Sequence, residues 1–368
     1  MSGATTTPMA TKGRVVEISS YPPPRTGWAV RVEHVKRRLD AEGHTCVVLN
    51  IGPSRNVPSD EYEMVLGGAD LLRKVWRYSS QGFTVHAHAN GDAIKGAVLA
   101  LVVLLISLLH GRRSVLTFHA GAIQRYFPVH RSWIWAPLYW LLFLLPRTII
   151  CNSEAVKACI GQYGVPASKI TPIPAFSSQY LEHAPTALPA GLESFYARYP
   201  QVVFAYIRLR ALFYPVTLAD GIARICARRS DVGVVLCGAT AGHFDPEVKS
   251  AFEQRMRDHS LAERVCLLED LDHDAFLAAL QRSAVFLRTP ITDGVASSVM
   301  EAIALGVPVV ACDNGTRPPG VVLYPAEDAD KMADAALYTI EHRADVVAAQ
   351  AMPEVRDTVT DEVAVLTR

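Results

Sequence analysis

The sequence predicts two doubly wound α/β domains, each a parallel sheet covered by helices on both faces. Three observations carry this expectation. The chain has 368 residues, more than one hydrophobic core usually organises. Short apolar strand signals alternate with helical segments from one end to the other, the rhythm of βαβ units. A stretch rich in Ser, Pro and Ala between Pro174 and Leu192 interrupts that rhythm near the middle. The expected division is a first domain over 1–178, a second over 190–350 and a tail over 351–368.

Taken in order, Arg14–Ser20 (RVVEISS) reads as a buried strand, followed by a Pro/Gly loop from Tyr21 to Gly27. Helical spacing over Ala29–Glu42 puts Val32, Val35 and Leu39 on one face, Gly43 stops it, and Cys46–Ile51 is a second strand. Strands are predicted next at Phe83–His86, Ser114–Phe118 and Thr148–Asn152. The second half gives Val202–Ile207, Gly233–Cys237, Arg264–Leu268, Val285–Arg288, Val307–Ala311 and Val321–Tyr324. In such sheets ligands bind outside the carboxyl ends of the strands, so the chemistry is expected in a central cleft that the two domains face.

Composition removes several classes of function. Half the residues are hydrophobic and formal net charge is zero, which fits neither a disordered chain nor a nucleic-acid binder. Seven scattered cysteines, never spaced C-x-x-C, argue against a disulfide framework or structural zinc and for a reducing cytoplasm. The polar opening MSGATTTPMATK has no apolar core and reads as a loose tail rather than a secretory signal.

Two apolar stretches depart from the pattern. Ala97–Leu109 holds 13 residues with Ser107 the one polar member, and Trp133–Leu145 is as apolar and rich in aromatics. Both fall short of the roughly 20 residues that span a bilayer. One reading is a pair of buried helices. The other is peripheral contact at the inner face of the cell membrane, because Lys95, Arg112, Arg113, Arg125, Arg131 and Arg147 flank the stretches and Trp133, Trp135 and Trp140 suit an interface.

The most informative segment is Leu287–Pro319. A strand runs into a polar loop, Asp293-Gly294 turns the chain, a helix runs from about Ser297 to Leu305, and Gly306 caps it before the strand VPVVAC. Glu301 therefore sits in an otherwise apolar helix, where a carboxylate costs desolvation energy unless it is satisfied. Ribose hydroxyls would satisfy it, each hydrogen bond to the charged acceptor contributing roughly 1.5–3 kcal/mol. The helix start near Ser297 and Ser298 offers free N–H groups and a positive dipole to a phosphate.

This segment resembles the signature of glycosyltransferase family 4, a retaining family with two Rossmann-like domains in the arrangement called GT-B. The signature has two acids separated by seven residues and then A-x-A-x-G-x-P-V-V, here with Asp293 first and Glu301 second. The resemblance implies that Glu301 binds the nucleotide ribose and that Asp293, beside Gly294, contacts the donor sugar. Further matches are Gly27 in the first loop, Glu42–Val48 (EGHTCVV), Cys151–Ser153 and Leu236-Cys237-Gly238. The resemblance also implies that His119, at the end of Thr117-Phe118-His119, faces the donor sugar, and that Arg208 clamps its phosphates. A lysine expected five residues after Arg208 is Phe213 here, leaving Arg210, Arg288 or Arg317 to supply the missing charge. Ala175-Phe176-Ser177-Ser178 replaces the family's N-G-V-D linker turn. His86 and His88 match an H-x-H at a strand end, but no third ligand with suitable spacing is evident, so no metal or other cofactor is expected beyond the nucleotide-sugar co-substrate.

The expected activity is therefore hexosyl transfer from a nucleoside diphosphate sugar, UDP-linked, to a saccharide or lipid-linked saccharide acceptor, with retention at the anomeric carbon. Cell-surface polysaccharide assembly is the expected setting. The alternatives are a sugar-nucleotide 2-epimerase on the same fold, and an idle transferase-like subunit that binds a partner enzyme.

Overall fold

The computed structural model of the chain describes residues 12–23, 26–112, 114–119, 121–242, 244–291, 296–352 and 354–368. It divides into two compact units, the first made of residues 1–175 with 357–368, the second of residues 176–356.

The first unit holds strands β1 (Arg14–Ser19), β2 (Thr45–Asn50), β3 (Glu63–Met64), β4 (Thr84–Ala89), β5 (Val115–Phe118), β6 (Thr148–Cys151) and β7 (Ile170–Pro172). Their order in the sheet is β3-β2-β1-β4-β5-β6-β7, every pair parallel. The connecting helices are α1 (Gly27–Ala41), α2 (Gly68–Ser80), α3 (Ile94–Leu109), α4 (Ala136–Leu144) and α5 (Glu154–Gly161). Thr26 starts α1 by accepting the Ala29 N–H, and Gly43, at φ 78°, takes the left-handed turn that ends the connection.

The second unit repeats the plan with α6 (Ala190–Arg198), β8 (Gln201–Tyr206), α7 (Pro215–Arg228), β9 (Val232–Cys237), α8 (Pro246–Asp258), β10 (Val265–Leu267) and α9 (His273–Gln281). It continues through β11 (Val285–Arg288), α10 (Ser297–Ala304), β12 (Val309–Cys312), β13 (Val322–Tyr324), α11 (Ala329–Glu341) and α12 (Arg343–Ala349). The order β10-β9-β8-β11-β12-β13 is again all parallel. Each sheet thus reverses strand order once, between β1 and β4 and between β8 and β11, and these reversals are where ligands of doubly wound sheets bind.

Three departures from the sequence reading have physical causes. Strand β4 runs on to Ala89, past the expected His86, because His86 and His88 find buried polar partners and the strand can carry them inward. The short edge strands β3 and β7 carried no alternation long enough to predict. The residues expected as a tail form helix α13 (Thr358–Leu366), whose Val359, Val363 and Leu366 join Val15, Val35 and Leu39 in one apolar cluster of the first unit.

Helix α13 is locked by Arg31 of α1. The Arg31 guanidinium donates to Glu362 at 2.7 Å, to Thr358 Oγ1 at 2.8 Å and to the Thr358 carbonyl at 2.7 Å, and both charged side chains are almost wholly buried. Removing one partner of such a pair leaves an uncompensated buried charge. Arg31→Ala is expected to destabilise the first unit by about 3–5 kcal/mol in urea unfolding, and Arg31→Met combined with Glu362→Leu to recover most of that loss. An Arg31→Ala protein as stable as the parent would remove the lock.

Candidate functional site

In the first unit the strand register gathers a polar cluster on one face of the sheet. Glu17 of β1 stands opposite His86 of β4, and His88, two residues on and so on the same face, stands opposite Thr117 of β5. The fully buried Glu17 carboxylate meets His86 Nδ1 at 2.8 Å with one oxygen and His88 Nε2 at 2.9 Å with the other. His86 Nε2 lies 2.7 Å from Thr117 Oγ1. Burial alone would raise the Glu17 pKa, but the charge of His86 and the hydrogen bonds of both imidazoles outweigh it and hold the carboxyl at about 2. Burial likewise disfavours a charged His86, and Glu17 overcomes it to raise that pKa, so the two form a buried ion pair.

His88 behaves oppositely: burial and the neighbouring His86 charge lower its pKa. Its Nδ1 accepts the indole N–H of Trp28, the second residue of α1, at 2.9 Å, and lies 2.9 Å from His119 Nε2. Trp28 and His119 are in contact, with ring centroids 3.8 Å apart and planes tilted by 42°. Burial first, then the charges of His88 and His86, depress the His119 pKa well below the ordinary value. Beside this cluster lies a cavity of about 200 Å³ with Ser19, Ser20, Trp28, His88 and Asn90 as polar lining and Leu99, Ala100 and Val103 of α3 as an apolar wall.

Glu17, His86 and His88 each bring one ligand atom within 4.8 Å of the others, so the third ligand absent from the sequence reading exists, contributed by β1. In this arrangement the three groups are engaged with one another through hydrogen bonds. An indole nitrogen is a donor only, so the proton of neutral His88 resides on Nε2, the atom that would have to bind the metal. The other carboxylate oxygen is occupied by charged His86.

In the second unit the reversal between β8 and β11 collects the remaining candidates. Arg208, just past β8, donates to Asp270 at 2.8 Å and to the Gly238 carbonyl at 3.2 Å, so part of its charge is already balanced. Gly238 has φ 84°, and a Cβ there would lie 2.6 Å from the Ile207 carbonyl, which excludes any side chain beside Arg208. Arg210 is exposed and only loosely paired with Asp245, at 3.8 Å. Arg288, the last residue of β11, is buried, reaches the Tyr206 carbonyl at 3.3 Å and places its guanidinium 5.6 Å from the Phe213 ring centre. Arg317 is turned onto the carbonyls of Cys312 and Pro290.

Helix α10 begins at Ser297 and Ser298 with no side chain capping it. One turn in, Glu301 is 6 % exposed and has no hydrogen-bond or ion-pair partner among the described residues. Burial pushes its pKa up to about 8. Asp293 and Gly294 lie outside the described residues. Gly27 is the first residue of α1, directly before Trp28.

Sequence reasoning singled out His119, Arg208, Arg288 and Glu301, and did not name Glu17, Trp28 and Asp270, which the structure places in contact with His88, His119 and Arg208. A glutamate inside the otherwise apolar strand RVVEISS was the available signal for Glu17. Nothing local marked Asp270, whose partner is 62 positions away in the chain.

Two family models match the chain: Glycosyltransferase Family 4 over residues 25–176 and Glycosyl transferases group 1 over residues 215–342. No curated protein matches the sequence. Among solved structures, the Anabaena HepE protein in complex with UDP and glucose is 16% identical, with a TM-score of 0.69 over 95% of this chain and 98% of that one. A glycosyltransferase from Rickettsia africae is 15% identical, with a TM-score of 0.68 over 96% of each chain. A UDP-GlcNAc 2-epimerase from Neisseria meningitidis bound to UDP-GlcNAc is 13% identical, with a TM-score of 0.63 over 96% and 99%. At these identities the likeness is one of fold.

The unpartnered Glu301 generates a prediction with two opposite signs. Its raised pKa means that the native state keeps a proton which the unfolded chain releases near the ordinary glutamate value, so stability falls as pH rises from there to about 8. Glu301→Gln is therefore expected to raise the midpoint of thermal unfolding by a few degrees at pH 8 and little at pH 5, in differential scanning calorimetry. The same variant is expected to weaken UDP binding at least tenfold by titration calorimetry, the scale of one hydrogen bond to a charged acceptor. Equal UDP affinity in the two proteins would refute the role.

Proposed function

This chain is a glycosyltransferase of the GT-B kind, and from that premise we propose that it moves a sugar from a UDP-linked donor to a hydroxyl of a saccharide or lipid-linked saccharide acceptor, with retention of anomeric configuration. The observation that carries the reading is Glu301, a buried carboxylate without a partner among the described residues, on the helix that follows the strand reversal. A ligand with two adjacent hydroxyls supplies the missing donors, and the ribose of a nucleotide is such a ligand. The adjacent start of α10 suits the diphosphate. The UDP in the similar Anabaena structure supports the uridine choice.

In this reading Arg208 and Arg288 face the diphosphate as charge builds on it. Arg288 answers the loss of lysine at Phe213: its cation, carried by the next strand of the sheet, stands over that ring. Asp293 and Gly294 keep the donor-sugar role that the sequence resemblance implies, and Gly27 and His119 belong to the acceptor-side unit. The acceptor oxygen bonds to the anomeric carbon on the face from which the phosphate leaves, and the leaving phosphate oxygen takes the acceptor's proton. Arginines and a helix dipole stabilise the departing charge without a resident metal.

The acceptor proposal rests on the first unit's surface. Helices α3 and α4 bury one face each, through Ala97, Val103 and Leu104 and through Tyr139, Leu142 and Phe143. Their other faces expose apolar side chains, with Leu109 74% and Trp140 49% exposed, and Trp133 in the turn before α4 and Trp76 of neighbouring α2 extend the belt. No helix of the described residues is long and apolar enough to cross a membrane. Lys95, Arg112, Arg125 and Arg131 are exposed around this belt. A belt of that kind suits peripheral binding to an anionic bilayer and a lipid-linked acceptor in cell-surface polysaccharide synthesis. The likeness to a 2-epimerase keeps one alternative, which would convert a sugar nucleotide with no acceptor present.

Arg288→Gln is expected to lower kcat by on the order of 10²-fold with a smaller effect on KM, as for loss of one preorganised charge at a leaving group. Wild-type kcat in that variant would sink the role of Arg288. The purified protein is also expected to float with vesicles containing anionic lipid, and the Trp133→Ser/Trp140→Ser double variant to stay at the bottom of the gradient. A chain that never floats would remove the membrane part of the reading, and turnover of the donor without any acceptor would favour the epimerase.

A further inference from the structure

We propose that Glu17 and His88 are positioning residues that hold His119 as a neutral imidazole whose Nδ1 accepts a hydrogen bond from a substrate hydroxyl. The inference rests on the transferase reading for the identity of the hydroxyl, which belongs to a sugar, and on the hydrogen-bond chain for everything else.

The chain has one consistent set of protons. Trp28 Nε1 carries a hydrogen and no lone pair, so His88 Nδ1, 2.9 Å away, is an acceptor. The His88 proton is then on Nε2, directed at the Glu17 oxygen 2.9 Å away. His119 Nε2 also lies 2.9 Å from His88 Nδ1, and two lone pairs repel, so His119 Nε2 is an N–H donor that shares the single in-plane lone pair of His88 Nδ1 with the indole N–H. A neutral imidazole with Nε2–H has its lone pair on Nδ1, and that nitrogen alone among the six of His86, His88 and His119 has no partner within the described residues.

The same logic makes Glu17 the origin of the order. Its two oxygens are shared between His86 and His88, and it is fully buried with no third partner among the described residues. Without a carboxylate, the Trp28 contact alone would hold the His88 proton on Nε2. Placed on Nδ1, that proton would point at both the Trp28 N–H and the His119 N–H and push the two rings away from His88. His119 neighbours two imidazoles and Arg31, and burial disfavours its charged form, so it presents a lone pair rather than a cation to what approaches it. Sugar hydroxyls are donors of the matching kind, and a donor or acceptor sugar lacking the hydroxyl that meets Nδ1 loses this contact.

The test is long-range 1H–15N correlation of the histidine imidazoles in the full-length protein at neutral pH, with signals assigned by their loss in His88→Gln and His119→Gln. The expected pattern is His88 and His119 protonated at Nε2 only and His86 protonated at both nitrogens. Proton occupancy at Nδ1 of His88 or His119 overturns the assignment, and this arm needs no activity, so its failure is separable from failure of the transferase reading. Kinetics supply the second arm. Glu17→Gln keeps an oxygen for the His88 N–H and an amide for His86, so kcat is expected within a few-fold of wild type. Glu17→Leu keeps the volume and loses the order, so kcat is expected to fall on the order of 10- to 100-fold, the cost of removing a group that orients a working imidazole, with KM for the donor little changed. Equal kcat in Glu17→Leu and Glu17→Gln would also overturn the proposal.

Discussion

All strands of both sheets run parallel to their neighbours, and the rest of the molecule's chemistry follows from that constraint. A parallel pair needs a helical crossover, so each carboxyl end opens into a loop on one edge of its sheet, and each following helix starts there with unsatisfied N–H groups. Where the strand order reverses, neighbouring loops leave on opposite faces and a gap opens between them. Trp28, Asn90 and His119 follow β1, β4 and β5 in this way, and Arg208 and the start of α10 follow β8 and β11. The side chains did not have to be brought together by a dedicated scaffold. The topology had already placed them.

Within that frame two glutamates of identical chemistry meet opposite fates. Glu17 is wholly buried yet strongly acidic, because its two oxygens are matched by two imidazoles, one of them charged. Glu301 is nearly as buried, has no partner among the described residues, and its carboxyl is forced toward the protonated form. Burial is common to both, so partners decide the sign. A satisfied buried carboxylate contributes order to its surroundings, whereas an unsatisfied one weakens the fold and is retained only where something outside the chain satisfies it. That asymmetry is what supports the proposed roles, Glu17 as a framework residue and Glu301 as a ligand contact, which neither residue type nor exposure alone would suggest.

The sequence made the fold legible because buried parallel strands are apolar runs such as VVLC and VPVVAC, and glycines such as Gly43 and Gly306 mark where helices stop. Glu301 was legible for the same reason, as a charge in a helix whose other inward positions are apolar. The Glu17 cluster was not, although its parts were visible. Its ligands come from three strands brought together only by register: Glu17 opposite His86, His88 opposite Thr117. The fate of residues 351–368 was hidden in the same manner. Arg31 and Glu362, 331 positions apart, carry no local sign that they pair, and the pairing turns an expected tail into part of the first unit.

The apolar stretches show why hydrophobicity by itself under-determines structure. Sequence left two readings of Ala97–Leu109 and Trp133–Leu145, buried helices or interfacial ones, and the folded chain buries one face of α3 and of α4 and exposes the other. The inner faces of α3 and α4 cover the sheet, and Leu99, Ala100 and Val103 also wall the cavity beside His88 and Trp28. A helix that served the core alone would carry polar residues on its outer face, as α8 does with Glu253, Arg257 and Asp258. The outer faces of α3 and α4 carry Leu105, Leu108, Trp140 and Leu144 instead. Apolar surface in water has a free-energy cost of about 25 cal/mol for each Å² exposed, so a belt of large exposed side chains needs a cover. Helix α3 therefore faces the cavity beside the polar cluster on one side and exposes apolar side chains on the other, an arrangement that suits the proposed acceptor with a sugar head and a lipid tail.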